Sequence, residues 1–102
     1  MPAATRPTTP DLLEVSRILK RHVPSEEYGA VLFGSRATGE ARPGSDWDIG
    51  LVGPRALRGA TVQRIRDELD ELRTLHTFDV VDLMAAPDFF REAALRRAVR
   101  LI

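Results

Sequence analysis

Cysteine is missing altogether from this 102-residue chain. That excludes disulfides and thiolate metal ligands, and it fits a reducing compartment. Net charge is missing too, because 15 Lys and Arg residues balance 15 Asp and Glu residues. A neutral chain has no overall field to gather nucleic acid or anionic lipid, so direct nucleic-acid binding is not expected and such a partner would need a local patch. No apolar run approaches the roughly 18 residues that a membrane span requires. The opening "MPAATRPTTP" lacks the basic and apolar segments of a secretory signal. A cytoplasmic protein without a membrane partner is the plain reading. Apolar residues at 43% and charged residues at 29% are ordinary globular values. A chain of this length makes one domain that buries about two-thirds of its unfolded surface.

Residues 1–8 are rich in Pro, Thr and Ala and read as a flexible N-terminus, leaving 9–102 as a single domain. In "TPDLLEVSRILKRHVP", Thr9 can cap a helix, Pro10 suits its first position and Asp11 complements its dipole. Leu12, Val15, Leu19 and Val23 recur at helical spacing before Pro24 stops the pattern. "YGAVLFGS" is short, continuous and apolar, which favours a buried strand. "RPGS" is turn chemistry, and "DWDIGLV" then alternates. Trp47, Ile49 and Leu51 share one face, while Asp46, Asp48 and Gly50 share the other. Val62, Ile65, Leu69 and Leu72 form a second helical stripe, "TFDVVDLM" reads as a third strand, and Pro87 and Asp88 open a final helix with Phe90, Ala94, Ala98 and Leu101 on one side. This order predicts an α/β (α+β) fold, a small sheet covered by helices.

Two carboxylates on one side of a strand repel, and both ionise at neutral pH only if something compensates. Asp46 and Asp48 offer hard oxygen ligands with no thiol and no nearby histidine, which suits Mg²⁺ or Mn²⁺ better than zinc. Magnesium in turn bridges carboxylates to substrate phosphates rather than sitting in an all-protein cage. Ten residues ahead of this pair, Gly34 and Ser35 form a turn where the backbone can approach an anion, with the Ser35 hydroxyl and Arg36 as further phosphate partners. If the first two strands are antiparallel, the turn opens beside the acids. A two-metal arrangement calls for a third carboxylate. "FDVVDL" offers Asp79 and Asp82. Three residues apart on a strand, they face opposite ways, so only one can join the site. Asp79 is preferred, because Phe78 and Val80 then pack beside Trp47 and Ile49, while Asp82 takes an exposed or capping role.

"GSRATGEARPGSDWDIGLV" resembles the signature of the minimal nucleotidyltransferases of the DNA polymerase β superfamily, and "FDVVDL" resembles the strand that carries their third acid. The resemblance implies a polymerase-β-like fold with a small mixed sheet flanked by helices. It implies Gly34 and Ser35 as nucleotide-phosphate contacts, Asp46 and Asp48 as metal ligands, and Asp79 as third ligand and activator of an acceptor hydroxyl. The implied reaction moves a nucleoside monophosphate from an NTP to a hydroxyl. Small members of this kind are similar to antitoxins that neutralise a HEPN-domain ribonuclease by adding AMP from ATP to a toxin tyrosine, with Mg²⁺ as cofactor. The chain is expected to end directly after the catalytic module, so that a partner must present the acceptor. The resemblance leaves two alternatives: an antitoxin that works by binding alone, and a nucleotidyltransferase for a small molecule or an RNA end. Trp47 departs from the pattern, which usually has a smaller aliphatic residue between the acids, and reads as core.

Outside these motifs, Arg91, Arg96, Arg97 and Arg100 crowd the last helix, as a solvated face completing a helix dipole or as a dock for an acidic partner. His22 and His76 lack paired ligands and read as surface or helix-end residues outside the site.

Overall fold

The structure, a computed structural model, describes residues 10–24 and 26–102. The expected flexible segment 1–8 and the Thr9 cap lie outside the described residues. The first helix, α1 (Leu12–His22), starts where the Asp11 carboxylate accepts from the backbone N–H groups of Leu13 and Glu14 at 3.1 and 3.2 Å. Asp11 is thus the cap and not merely a favourable charge, since its side chain satisfies donors that the first helical turn leaves free. Lys20, Arg21 and His22 fill the last turn, where cations meet the negative end of the dipole. Val15, Ile18, Leu19 and the following Val23 are buried, each contributing on the order of 1.5–3 kcal/mol.

Strand β1 (Gly29–Phe33) leads into a four-residue helix α2 (Ser35–Thr38), and strand β2 (Trp47–Val52) returns antiparallel to β1. The helix α3 (Gly59–Asp70) buries Val62, Ile65 and Leu69, as the stripe predicts, and Leu72 packs at its edge. Strand β3 (Phe78–Asp82) then pairs parallel to β2. Helix α4 (Asp88–Leu95) is followed by the two-residue strand β4 (Val99–Arg100), antiparallel to β1. The sheet order is β3-β2-β1-β4.

The final helix predicted through Leu101 therefore ends at Leu95. Residues beyond it extend along β1, where Leu101 N–H donates to the Ala30 carbonyl at 2.8 Å. Apolar spacing cannot separate a helix from a short strand when both are half-exposed, and Val99 satisfies either pattern.

The main core lies between the sheet and the α1/α3 pair: Ala30, Ile49, Leu51 and Val80 from the strands meet Val15, Ile18, Leu19, Ile65 and Leu69. Glu68 ties the two helices at the surface, accepting from Arg21 at 2.5 Å and meeting His22 Nε2 at 2.7 Å. His22 is the helix-end residue expected. On the other face, Phe90 of α4 meets Phe33 edge-on, with ring centroids 6.2 Å apart. From α3, Arg66 reaches the Val80 carbonyl of the outer strand β3 at 2.8 Å.

Candidate active site

Strand register assembles the site. On the antiparallel pair, Phe33 stands opposite Asp48, so the chain leaves β1 at Gly34 beside that carboxylate. On the parallel pair, Asp48 stands opposite Asp79, and residues directly opposite share a face. Alternation adds Asp46, two residues before Asp48. The sheet thus places one carboxylate from each of two neighbouring strands side by side, with a third acid, Asp46, just ahead of Asp48.

Gly34 makes the closest approach. Its backbone, at φ 70° and ψ −156°, lies in a region that is essentially reserved for glycine. A Cβ built there would stand 2.3 Å from Asp48 Oδ2. Absence of a side chain is therefore what lets the turn and the acid touch. Ser35 and Arg36 open α2 immediately after it, and the first N–H groups of a helix have no partner within the helix.

Burial first, then the charges of Asp79 and Asp46, push the Asp48 carboxyl above its ordinary range. Asp79 is exposed and Asp48 half-buried. Asp46 accepts a short hydrogen bond from the Thr77 hydroxyl. Among the described residues, no three His, Asp or Glu side chains stand as a ready-made ligand set. The Thr77 hydroxyl is the partner that Asp46 has on the neighbouring strand.

Asp82 takes the structural role. Its carboxylate accepts from Leu57 N–H at 2.7 Å and from Met84 N–H at 3.0 Å, pinning the loop before α3 and the turn after β3. Trp47 is buried at 4% exposure, as its alternation predicts. The Arg36 side chain is not gathered with the acids. Its guanidinium donates to the Ser45 carbonyl and lies over the Trp47 ring.

Residues 14–102 match the family model described as polymerase beta, nucleotidyltransferase. The chain belongs to that family. Its likeness to solved nucleotidyltransferases and their complexes extends over nearly the whole described fold. A toxin–antitoxin crystal structure with AMP-PNP contains a chain 20% identical, with TM-score 0.75, covering 91% of this chain and 73% of that one. A complex of the tri-AMPylated Shewanella oneidensis HEPN toxin with its MNT antitoxin gives 20% identity and TM-score 0.61, covering 89% and 68%. A minimal nucleotidyltransferase gives 27% identity and TM-score 0.64, covering 91% and 98%. No curated protein sequence matches the chain. The nucleotidyltransferase fold, a mixed sheet with helices on it, is the one the sequence motifs imply.

Thr77, the partner of Asp46, was missed at this nucleotidyltransferase's acidic end. Its signal lay in register: if Asp79 stands opposite Asp48, then Thr77 stands opposite Asp46. His76, expected at the surface, is half-buried and accepts from the Trp47 indole at 3.1 Å. Arg36, Pro43, Ser45, Leu75, His76 and Thr77 line a cavity of about 490 Å³ next to these groups.

Proposed function

We propose that this nucleotidyltransferase transfers AMP from ATP to a hydroxyl of a HEPN-domain toxin, a tyrosine, and so acts as its antitoxin in the cytoplasm. The observation that carries the catalytic half is the meeting of Gly34 with Asp48 beside Asp79, a bare backbone turn pressed against paired acids. The toxin half is supported by the likeness to antitoxin chains in toxin complexes, one of them tri-AMPylated.

The donor set fits Mg²⁺ or Mn²⁺: all-oxygen ligands, and an Asp48 whose ionisation is opposed first by burial and then by neighbouring charge, both of which a cation would offset. In this reading Asp46, Asp48 and Asp79 hold the cation, which when bound supplies charge neutralisation and Lewis-acid polarisation of the phosphates. Gly34 leaves room for the phosphate chain, and the Ser35 hydroxyl and the backbone N–H groups at the start of α2 orient it. Asp79, the exposed acid, takes the proton from the acceptor hydroxyl. The acceptor oxygen bonds to the α-phosphorus as the bond to the bridging oxygen breaks, and pyrophosphate leaves with that electron pair. Arg36, the further phosphate partner of the sequence reading, directly follows Ser35, and its guanidinium donates to the Ser45 carbonyl.

The test is ATP labelled at the α-phosphate, offered with the cognate toxin and Mg²⁺. Label on the toxin that disappears in Asp46→Ala with Asp48→Ala supports the reading, and absence of label with the wild type overturns it. If the double variant still protects cells fully, neutralisation runs through binding alone. Label on a free nucleotide, sugar or RNA end without toxin points to the small-acceptor alternative.

A further inference from the structure

Trp47 separates the two acids of the pair, and its indole is more than filler. The Arg36 guanidinium lies over the ring, 4.6 Å from its centroid. Indole Nε1 donates to His76 Nδ1 at 3.1 Å, and the His76 ring meets it edge-on at 5.7 Å between centroids. Trp47 N–H donates to the Thr77 carbonyl at 2.9 Å, and the Thr77 hydroxyl holds Asp46. The same Arg36 donates through Nε and Nη2 to the Ser45 carbonyl at 3.3 and 3.1 Å. Arg36 follows directly on Ser35, whereas Ser45 and Trp47 bracket Asp46.

We infer that Arg36 is a positioning residue, which fixes the Gly34–Ser35 turn against the Asp46–Asp48 strand by gripping the Ser45 carbonyl and the Trp47 ring. Three observations converge on this. The guanidinium makes two different kinds of contact, a pair of N–H bonds to one carbonyl and an approach over an aromatic ring, and its rigid planar fork holds both at a fixed spacing that a single ammonium does not set. Both contacts land on the short stretch that carries Asp46. Ala41, Pro43, Gly44 and Ser45 border the cavity on one side, so the Arg36 bonds to Ser45 are made at the cavity's edge, where that segment has a neighbour on one side only. Thr77 and His76 secure the far side of the same stretch.

The inference rests on the nucleotidyltransferase reading, and its test separates the two. Trp47 is the only tryptophan, so one indole N–H resonance and one fluorescence spectrum report the clamp directly. Arg36→Met keeps the stem and removes the guanidinium, and Arg36→Lys keeps the charge and removes the fork. In Arg36→Met the indole resonance and emission shift and transfer to the toxin slows by about tenfold or more in kcat, while KM and calorimetric affinity for magnesium-ATP stay within about threefold. Arg36→Lys falls between. If magnesium-ATP affinity drops about tenfold while the indole signals stay put, Arg36 is a phosphate ligand and the inference is overturned. It is likewise overturned if Arg36→Lys matches the wild type in every readout. Should the wild type transfer nothing to any acceptor, the functional reading fails, but the indole and affinity measurements still decide the role of Arg36.

Discussion

Replacing Gly34 by alanine tests the site at its tightest point. Two costs add. The backbone at φ 70°, ψ −156° is a glycine conformation, and holding a Cβ-bearing residue there costs on the order of 1–3 kcal/mol. The new Cβ would also lie 2.3 Å from Asp48 Oδ2, so the carboxylate has to retreat by roughly 1 Å to regain ordinary contact. A displacement of about 1 Å at a reacting centre costs about 100-fold in rate. Urea unfolding measures the first cost: with a slope of about 1–3 kcal/mol per molar, a loss of about 2 kcal/mol lowers the midpoint by roughly 1 M. Transfer of α-phosphate label measures the second. Gly39→Ala is the control, since Gly39 has φ 81° with nothing within 4 Å of a built Cβ. It loses about 1–2 kcal/mol of stability and keeps its transfer rate. If Gly34→Ala transfers label within about threefold of the wild type, the contact between turn and acid does not govern the chemistry and the reasoning is refuted.

Asp48→Asn stabilises the metal-free protein near neutral pH, because the folded carboxyl has a raised pKa and ionising it works against folding. The sign is fixed by that direction: the destabilisation is absent below the ordinary value of 3.8, where both states are protonated, and full above the raised folded value. Thermal melts of both proteins from acid to neutral pH check it, and adding Mg²⁺ raises the wild-type midpoint but not that of the variant. Asp79→Asn and Asp82→Asn separate the two acids of β3: the first abolishes label transfer with little change in melting temperature, since Asp79 is exposed, and the second costs on the order of 1–3 kcal/mol and leaves transfer per folded molecule intact. Glu68→Gln loses less than about 1 kcal/mol in urea, because its pairs with Arg21 and His22 stay partly open to solvent, and transfer is unchanged.

How much of this was readable before the fold was known depends on the range over which each residue acts. Alternation along one strand was enough to send Trp47, Ile49 and Leu51 inward and to put Asp46 and Asp48 together, because the two-residue period is a property of the backbone itself. The same rule separated Asp79 from Asp82, and the packing of Val80 followed. The helical stripe of α3 was plain for the same reason. What escaped was set by partners distant in sequence. Strand β4 exists because β1 offers a free edge to Val99 and Arg100, and nothing in those residues announces it. The Arg36 clamp depends on where Ser45 and Trp47 fall after two changes of chain direction, and the Thr77 bond to Asp46 depends on the parallel register of β2 and β3. Asp11, read as a charge on the helix dipole, is the cap of α1 because its carboxylate reaches the free N–H groups of Leu13 and Glu14.

Asp79 belongs to β3, the outermost strand on its side of the sheet. In the proposed reaction Asp79 is the base, and a base that is exposed on the margin can be reached from outside without any part of the fold swinging open. Arg66 already occupies the Val80 carbonyl of that strand, which discourages a visitor from adding a strand of its own. Under the proposed function a folded partner would bring its hydroxyl in from above the margin as a rigid body, and the pace of the proposed modification would follow how often the two proteins meet, rather than how fast either one rearranges.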